Sequence, residues 1–228
     1  MTDMHASLPF RGGSIGLYRS ADAAPDTPLI CLLVGQENGA AIREAAYAAG
    51  ARPFSMAAIP VADWNGELSP WSAPQPFRDG AAFTGGADAF LHALEAALPA
   101  VRAALSAPDA PCCLAGYSMG GLFAVYALYR SAAFSGAVSA SGSLWFPDFA
   151  AFTADRAPAR IPEKVYFSLG DRESRTKNPL FRRTEEDTRA LCAAMRAMGV
   201  QSVFELNPGG HFQDPEKRMA RGIAWITE

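Results

Sequence analysis

The sequence predicts an α/β fold with a mostly parallel central sheet flanked by helices, on three observations. Short apolar runs alternate with amphipathic stretches along the chain, the pattern of strands joined by helical crossovers. Most of those runs lack polar alternation, which suits strands buried on both faces of a sheet. Half of the 228 residues are hydrophobic and only 19% are charged, so a large core is available and a disordered chain is excluded.

The runs that read as strands span residues 14–18, 29–34, 54–62, 112–115, 137–140, 165–169 and 202–206, each bounded by Gly, Pro or Asp. Helical periodicity occupies 40–49, 87–105, 119–130, 184–198 and 215–226. In the second of these, Phe90, Leu91, Leu94, Leu98 and Val101 form one apolar stripe, and Pro99 implies a kink or an earlier end. The third reads as amphipathic through Leu122, Phe123, Val125, Tyr126 and Leu128. Gly199 closes the fourth as a C-terminal cap.

Residues 63–86 fit neither period. Their tryptophans and phenylalanines argue against disorder. They form either an irregular flap over the core or the wall of a cleft at the strand carboxyl ends, where open α/β sheets bind ligands. No repeat or linker divides residues 1–228, so a single domain is expected. The short stretch between the strands at 137–140 and 165–169 leaves no room for a cap domain.

Several function classes drop out. Twenty basic and 23 acidic residues give a net charge of −3, without the basic excess of a nucleic-acid binder. The longest apolar run, Leu29 to Val34, is too short to span a membrane. No basic stretch followed by an apolar core appears within residues 1–19, so no secretory signal is read and a cytoplasmic location is expected. Cys31, Cys112, Cys113 and Cys192 show no framework spacing and read as small buried hydrophobes. His5, His92 and His211 do not pair at metal-ligand spacing, so neither a metal nor another cofactor is expected.

The chemistry centres on Gly116-Tyr117-Ser118-Met119-Gly120, which fits the G-x-S-x-G turn that lifts a serine above a sheet edge. A second match, Gly12 to Gly16 around Ser14, opens no helix and reads as a hairpin or edge strand. Ser118 follows a strand and opens a helix, so it is the expected nucleophile. A serine needs a base, and the base needs an orienting carboxylate. With the order Ser, acid, His, only His211 follows Ser118 as a base, in a glycine-rich loop after the last strand. Asp171 and Glu173 both follow the strand at 165–169, and spacing does not choose between them. The oxyanion hole is expected to use the Met119 and Gln36 amides.

Leu114 to Leu122, together with Asn207-Pro208-Gly209-Gly210-His211-Phe212, resembles the putative-esterase family of α/β-hydrolases. That family includes enterochelin esterases, S-formylglutathione hydrolases, feruloyl esterases and mycolyltransferases. The resemblance runs from Leu29 onward and implies the α/β-hydrolase fold. It also places the acid three residues after the glycine ending its strand, which is Glu173 here. A His-Gly pair before the oxyanion loop, present in relatives, is absent. The expected function is a serine esterase acting through an acyl-enzyme on a small-molecule ester, with no nucleic-acid or membrane partner. Acyl transfer, thioester cleavage, or silent ligand binding are the alternatives on the same residues. Trp145, Phe146, Trp64 and Trp71 are expected to wall the substrate pocket.

Overall fold

The computed structural model describes residues 6–22, 24, 26–35, 39–74, 76 and 82–228. Its main sheet has eight strands: β1 (Ala6–Phe10), β2 (Gly13–Tyr18), β3 (Leu29–Val34), β4 (Ser55–Pro60), then, counting past two short strands, β7 (Cys112–Tyr117), β8 (Gly136–Ala140), β9 (Lys164–Gly170) and β10 (Gln201–Asn207). The two short strands are β5 (Ser72–Ala73) and β6 (Phe83–Thr84), which pair only with each other. The spatial order is β1-β2-β4-β3-β7-β8-β9-β10. β2 runs antiparallel to both neighbours, and every other pairing in the sheet is parallel.

The central strands carry continuous apolar runs because they face a core on each side. Leu29, Cys31 and Leu33 of β3 point into one cluster, and Ile30, Leu32 and Val34 into the other. Burying each such side chain contributes about 1.5–3 kcal/mol. Adjacent Cys112 and Cys113 likewise go to opposite faces, and all four cysteines are free and buried. Burial pushes the Cys113 thiol up to about 12, as befits a small core residue.

Helices α3 (Ala87–Ala104), α4 (Met119–Arg130) and α7 (Thr184–Ala197) supply the first cluster. Helices α1 (Ala40–Ala48) and α8 (Pro215–Ile226) cover the second. The described residues form three further short helices: α2 (Trp64–Glu67), α5 (Phe149–Ala154) and α6 (Pro179–Arg182). The α7 end is a Schellman turn: Gly199, at φ 85°, donates to the Arg196 carbonyl, and Val200 to that of Met195. No helix of the described residues is long and apolar enough to cross a membrane.

Three departures from the sequence reading bear on how the elements pack. An extra strand, β1, pairs with β2 through a two-residue turn at Arg11 and Gly12, with φ of 45° and 81°. Helix α3 does not end at Pro99. The buried stripe continues through Leu98 and Val101, while Pro99 sits on the exposed side, where water can take the carbonyl it frees. Helix α4 is not amphipathic but buried from Met119 to Tyr129, because α3 and α5 cover its outer face. Phe90 packs edge-on against Phe123 at 5.3 Å, and Phe152 lies 5.5 Å from Tyr126.

Candidate active site

The carboxyl ends of four neighbouring parallel strands, β7 to β10, converge on one edge of the sheet. Ser118 sits between β7 and α4 with φ 56° and ψ −118°, a conformation that non-glycine residues reach only when the surroundings enforce it. Its N–H donates to the Ala140 carbonyl, and its own carbonyl accepts from Leu122 and Ser143. The flanking glycines are required by contact. A Cβ on Gly116 would lie 2.3 Å from the Gly120 backbone, and one on Gly121 would lie 2.9 Å from Gly142 Cα. On Gly120 it would come within 3.0 Å of Trp64 Cζ3. As the first residue of α4, Met119 has an N–H that no helical carbonyl can reach, at the positive end of the helix dipole.

His211 lies on the loop after β10. Its Nδ1 is 2.8 Å from Glu173 Oε2 and its Nε2 is 3.0 Å from Ser118 Oγ. Burial pushes the Glu173 carboxyl up, but hydrogen bonds from His211, the Gly170 N–H and Ser141, with the His211 charge, outweigh it and hold the group below its ordinary range. An ionised carboxylate only accepts, so Nδ1 carries the proton and Nε2 is the free acceptor for the Ser118 hydroxyl. That tautomer is the one a general base needs.

The two carboxylates left open by spacing are separated by geometry. The Glu173 N–H donates to the Gly170 carbonyl, and this turn folds Glu173 back over the end of β9, where Oε1 accepts from the Gly170 N–H at 2.6 Å. Asp171 faces away from the imidazole. Its Oδ1 accepts from the Gly209 N–H at 2.8 Å and ties down the loop that carries His211.

A cleft of about 340 Å³ opens at Ser118 and His211, with Met119, Ser143 and Trp145 on its wall. Phe83, Phe181 and Phe212 add aromatic surface and Asn65, Thr176 and Thr184 polar surface to the wall, and Phe212 is 91% exposed at the rim. Ser143 Oγ lies 3.3 Å from Ser118 Oγ. Trp145 reaches the cleft, its ring 4.6 Å from that of Phe181. The other expected pocket walls stand behind it. Phe146 is buried, Trp71 packs on Phe146, Phe149 and Phe152 and donates to the Pro147 carbonyl, and Trp64 lies under Gly120. The described residues between 63 and 86 therefore do both jobs expected of the segment, covering core with the tryptophans and walling the cleft with Asn65 and Phe83. Gln36 lies outside the described residues.

Sequence reasoning missed the groups behind the imidazole. Arg218, buried on α8, donates to Glu173 Oε1 at 2.8 Å, and the Tyr117 hydroxyl donates to the His211 carbonyl. Burial pushes the Tyr117 phenol up, which keeps it a donor. A signal for Arg218 did exist: it shares a helix face with Gly222 and Ile226, a cation on an otherwise buried stripe.

Strand order, a strained serine between strand and helix, and a histidine loop after the last strand together define an α/β-hydrolase. Residues 26–213 match the family described as "Putative esterase". The chain belongs to that family and is an ester hydrolase. Among solved structures, an IroE-like serine hydrolase from Shewanella oneidensis superposes with a TM-score of 0.79 at 16% identity, over 97% of this chain and 79% of that one. Siderophore hydrolase EstA from Aspergillus nidulans gives 0.70 at 21% identity, over 97% and 93%. The enterobactin esterase FES from Shigella flexneri gives 0.65 at 19%, over 94% of this chain and 56% of its own length. A comparison with curated proteins finds no match.

Proposed function

We propose that the chain, acting as one α/β-hydrolase domain, is a serine esterase that cleaves small-molecule carboxylic esters through an acyl-enzyme. The observation that carries this is the unbroken line from Glu173 Oε2 through His211 to Ser118 Oγ, with contacts of 2.8 and 3.0 Å. His211 Nε2 takes the hydroxyl proton as Ser118 Oγ bonds to the ester carbon. Glu173 stabilises the imidazolium that forms, and the negative carbonyl oxygen turns towards the Met119 amide, with the Gln36 amide as its expected partner. The imidazolium then protonates the alcohol oxygen as the ester C–O bond breaks. Water repeats the sequence on the acyl-enzyme, releasing the acid and restoring Ser118.

The lining of the cleft supports a narrower substrate class. Its described lining residues include no lysine or arginine, and its aromatic walls favour an uncharged apolar or aromatic acyl group. The siderophore esters named for two of the structural relatives belong in the same assay. A fluorophosphonate probe tests the nucleophile directly: it is expected to label the protein once, at the peptide containing Ser118. A protein that takes no label and hydrolyses no member of a p-nitrophenyl ester series, from acetate through benzoate to palmitate, is a binding protein instead.

A further inference from the structure

Arg218 heads the fully buried side chains by volume, with 1% exposure, and its guanidinium sits under the catalytic edge. Gly222, one turn further along α8, explains how it gets there. A Cβ at Gly222 would come within 2.4 Å of Val138 Cγ1 and 2.8 Å of Tyr166 Cδ1, so only glycine lets α8 lie this close to β8 and β9. The close approach carries Arg218 beneath the loop that holds His211.

The guanidinium has targets on four different elements. Nη1 donates to Glu173 Oε1 and to Ser141 Oγ, both at 2.8 Å, and to the Tyr117 hydroxyl at 3.3 Å. Nη2 donates to the carbonyls of Gly210 at 2.9 Å and Pro208 at 3.2 Å, within the histidine loop. Oε1 is the carboxylate oxygen turned away from the imidazole. With Oε1 held by Arg218, Ser141 and the Gly170 N–H, Oε2 is left pointing at His211 Nδ1.

We propose that Arg218 is a positioning residue of the catalytic centre, fixing the Glu173 carboxylate and the His211 loop against each other before substrate arrives. The inference rests on the reading of Ser118, His211 and Glu173 as the catalytic line. Only a planar fork reaches the carboxylate and the loop at once; a lysine ammonium is a single point on a flexible stem and holds one of them. Burying the cation with one carboxylate is costly in itself, so the pair is better understood by what it orients than by what it adds to stability.

The test is steady-state hydrolysis of p-nitrophenyl butyrate by Arg218→Met and Arg218→Lys, each made in the wild type and in Glu173→Gln. In the wild type, Arg218→Met is expected to lower kcat by about 100-fold and to leave KM within about threefold. Arg218→Lys, which keeps the charge and loses the fork, is expected to lose about tenfold, and it carries the comparison if the Met variant does not fold. In Glu173→Gln the Arg218→Met change is expected to cost about tenfold or less, because the acid it orients is gone. A loss of equal size in both backgrounds overturns the proposal, as does an Arg218→Met enzyme within about threefold of wild type. Failure of the underlying reading shows separately, as hydrolysis that survives Ser118→Ala.

Discussion

Two pentapeptides in this chain fit the same G-x-S-x-G pattern and sit in opposite mechanical settings. Gly12 to Gly16 spans a hairpin turn, and Ser14 stands exposed on β2, paired across the ladder with Pro9. Nothing crowds Gly12, which is needed only for its φ of 81°. At Gly116 to Gly120 the strain falls on the serine itself, and Gly116 is needed because a Cβ there would lie 2.3 Å from the Gly120 backbone. The pattern encodes glycine spacing alone. The proposed chemistry depends on the helix that follows Ser118 and on the loops after β9 and β10 that bring a carboxylate and an imidazole to it.

The sharpest way to break this comparison is to remove each hydroxyl. Ser118→Ala is expected to lower ester hydrolysis by about 10⁴-fold or more, since the remaining groups have no nucleophile to act on. Ser14→Ala is expected to leave kcat and KM unchanged and to shift stability by no more than about 0.5 kcal/mol, as at other exposed sites. Comparable losses from both would mean that strand and helix context does not separate the two serines. The next effect in size separates the carboxylates behind the elbow. Glu173→Gln should cost about 10³-fold in kcat by removing the charge that steadies the imidazolium. Asp171→Asn keeps an oxygen for the Gly209 N–H and should cost only a few-fold in kcat.

Glycine replacements extend the contrast to stability. Gly116→Ala forces β7 and α4 apart and is expected to destabilise the protein by about 3 kcal/mol or more. Gly12→Ala meets open space and bears only the left-handed backbone cost, about 1–2 kcal/mol. Urea denaturation of the two variants side by side measures the difference.

What the sequence made legible follows the same division between local pattern and tertiary convergence. β3 was readable to the residue because both of its faces are buried, so every position from Leu29 to Val34 is apolar. β7 was read two residues short, since Gly116 and Tyr117, which pair with Ser139 and Ala140, carry no apolar run. β1 was missed because it is half exposed and contains Pro9. Helices α2, α5 and α6 span fewer than two turns and leave no period to detect. Motif and elimination point to Ser118 and His211, whose side chains lie 3.0 Å apart in the fold. Spacing leaves Glu173 and Asp171 open and only the family resemblance ranks Glu173 first, because the choice depends on a turn at Gly170 that composition does not reveal; Arg218 acts through contacts on four separate elements.

The smallest expected effect is a dependence on pH that the elbow has and the hairpin lacks. In the folded protein Glu173 titrates below its ordinary range, because its hydrogen bonds and the His211 charge outweigh the penalty of burial. Folding therefore favours its ionised form. Its contribution to stability is complete above the unfolded carboxyl pKa, about 4.3, and is lost as the pH falls through the lower folded value. Glu173→Gln has no such proton to bind, and at neutral pH it leaves Arg218 buried without an anion, so it should be the less stable protein there. Urea midpoints at pH 7 and at pH 3.5 are the measurement, and the wild-type advantage should shrink at the lower pH. An advantage that stays constant would mean that Glu173 is no better stabilised as an anion in the fold than in the unfolded chain. Ser14→Ala should track the wild type at both pH values, because no titratable group among the described residues bonds to that serine.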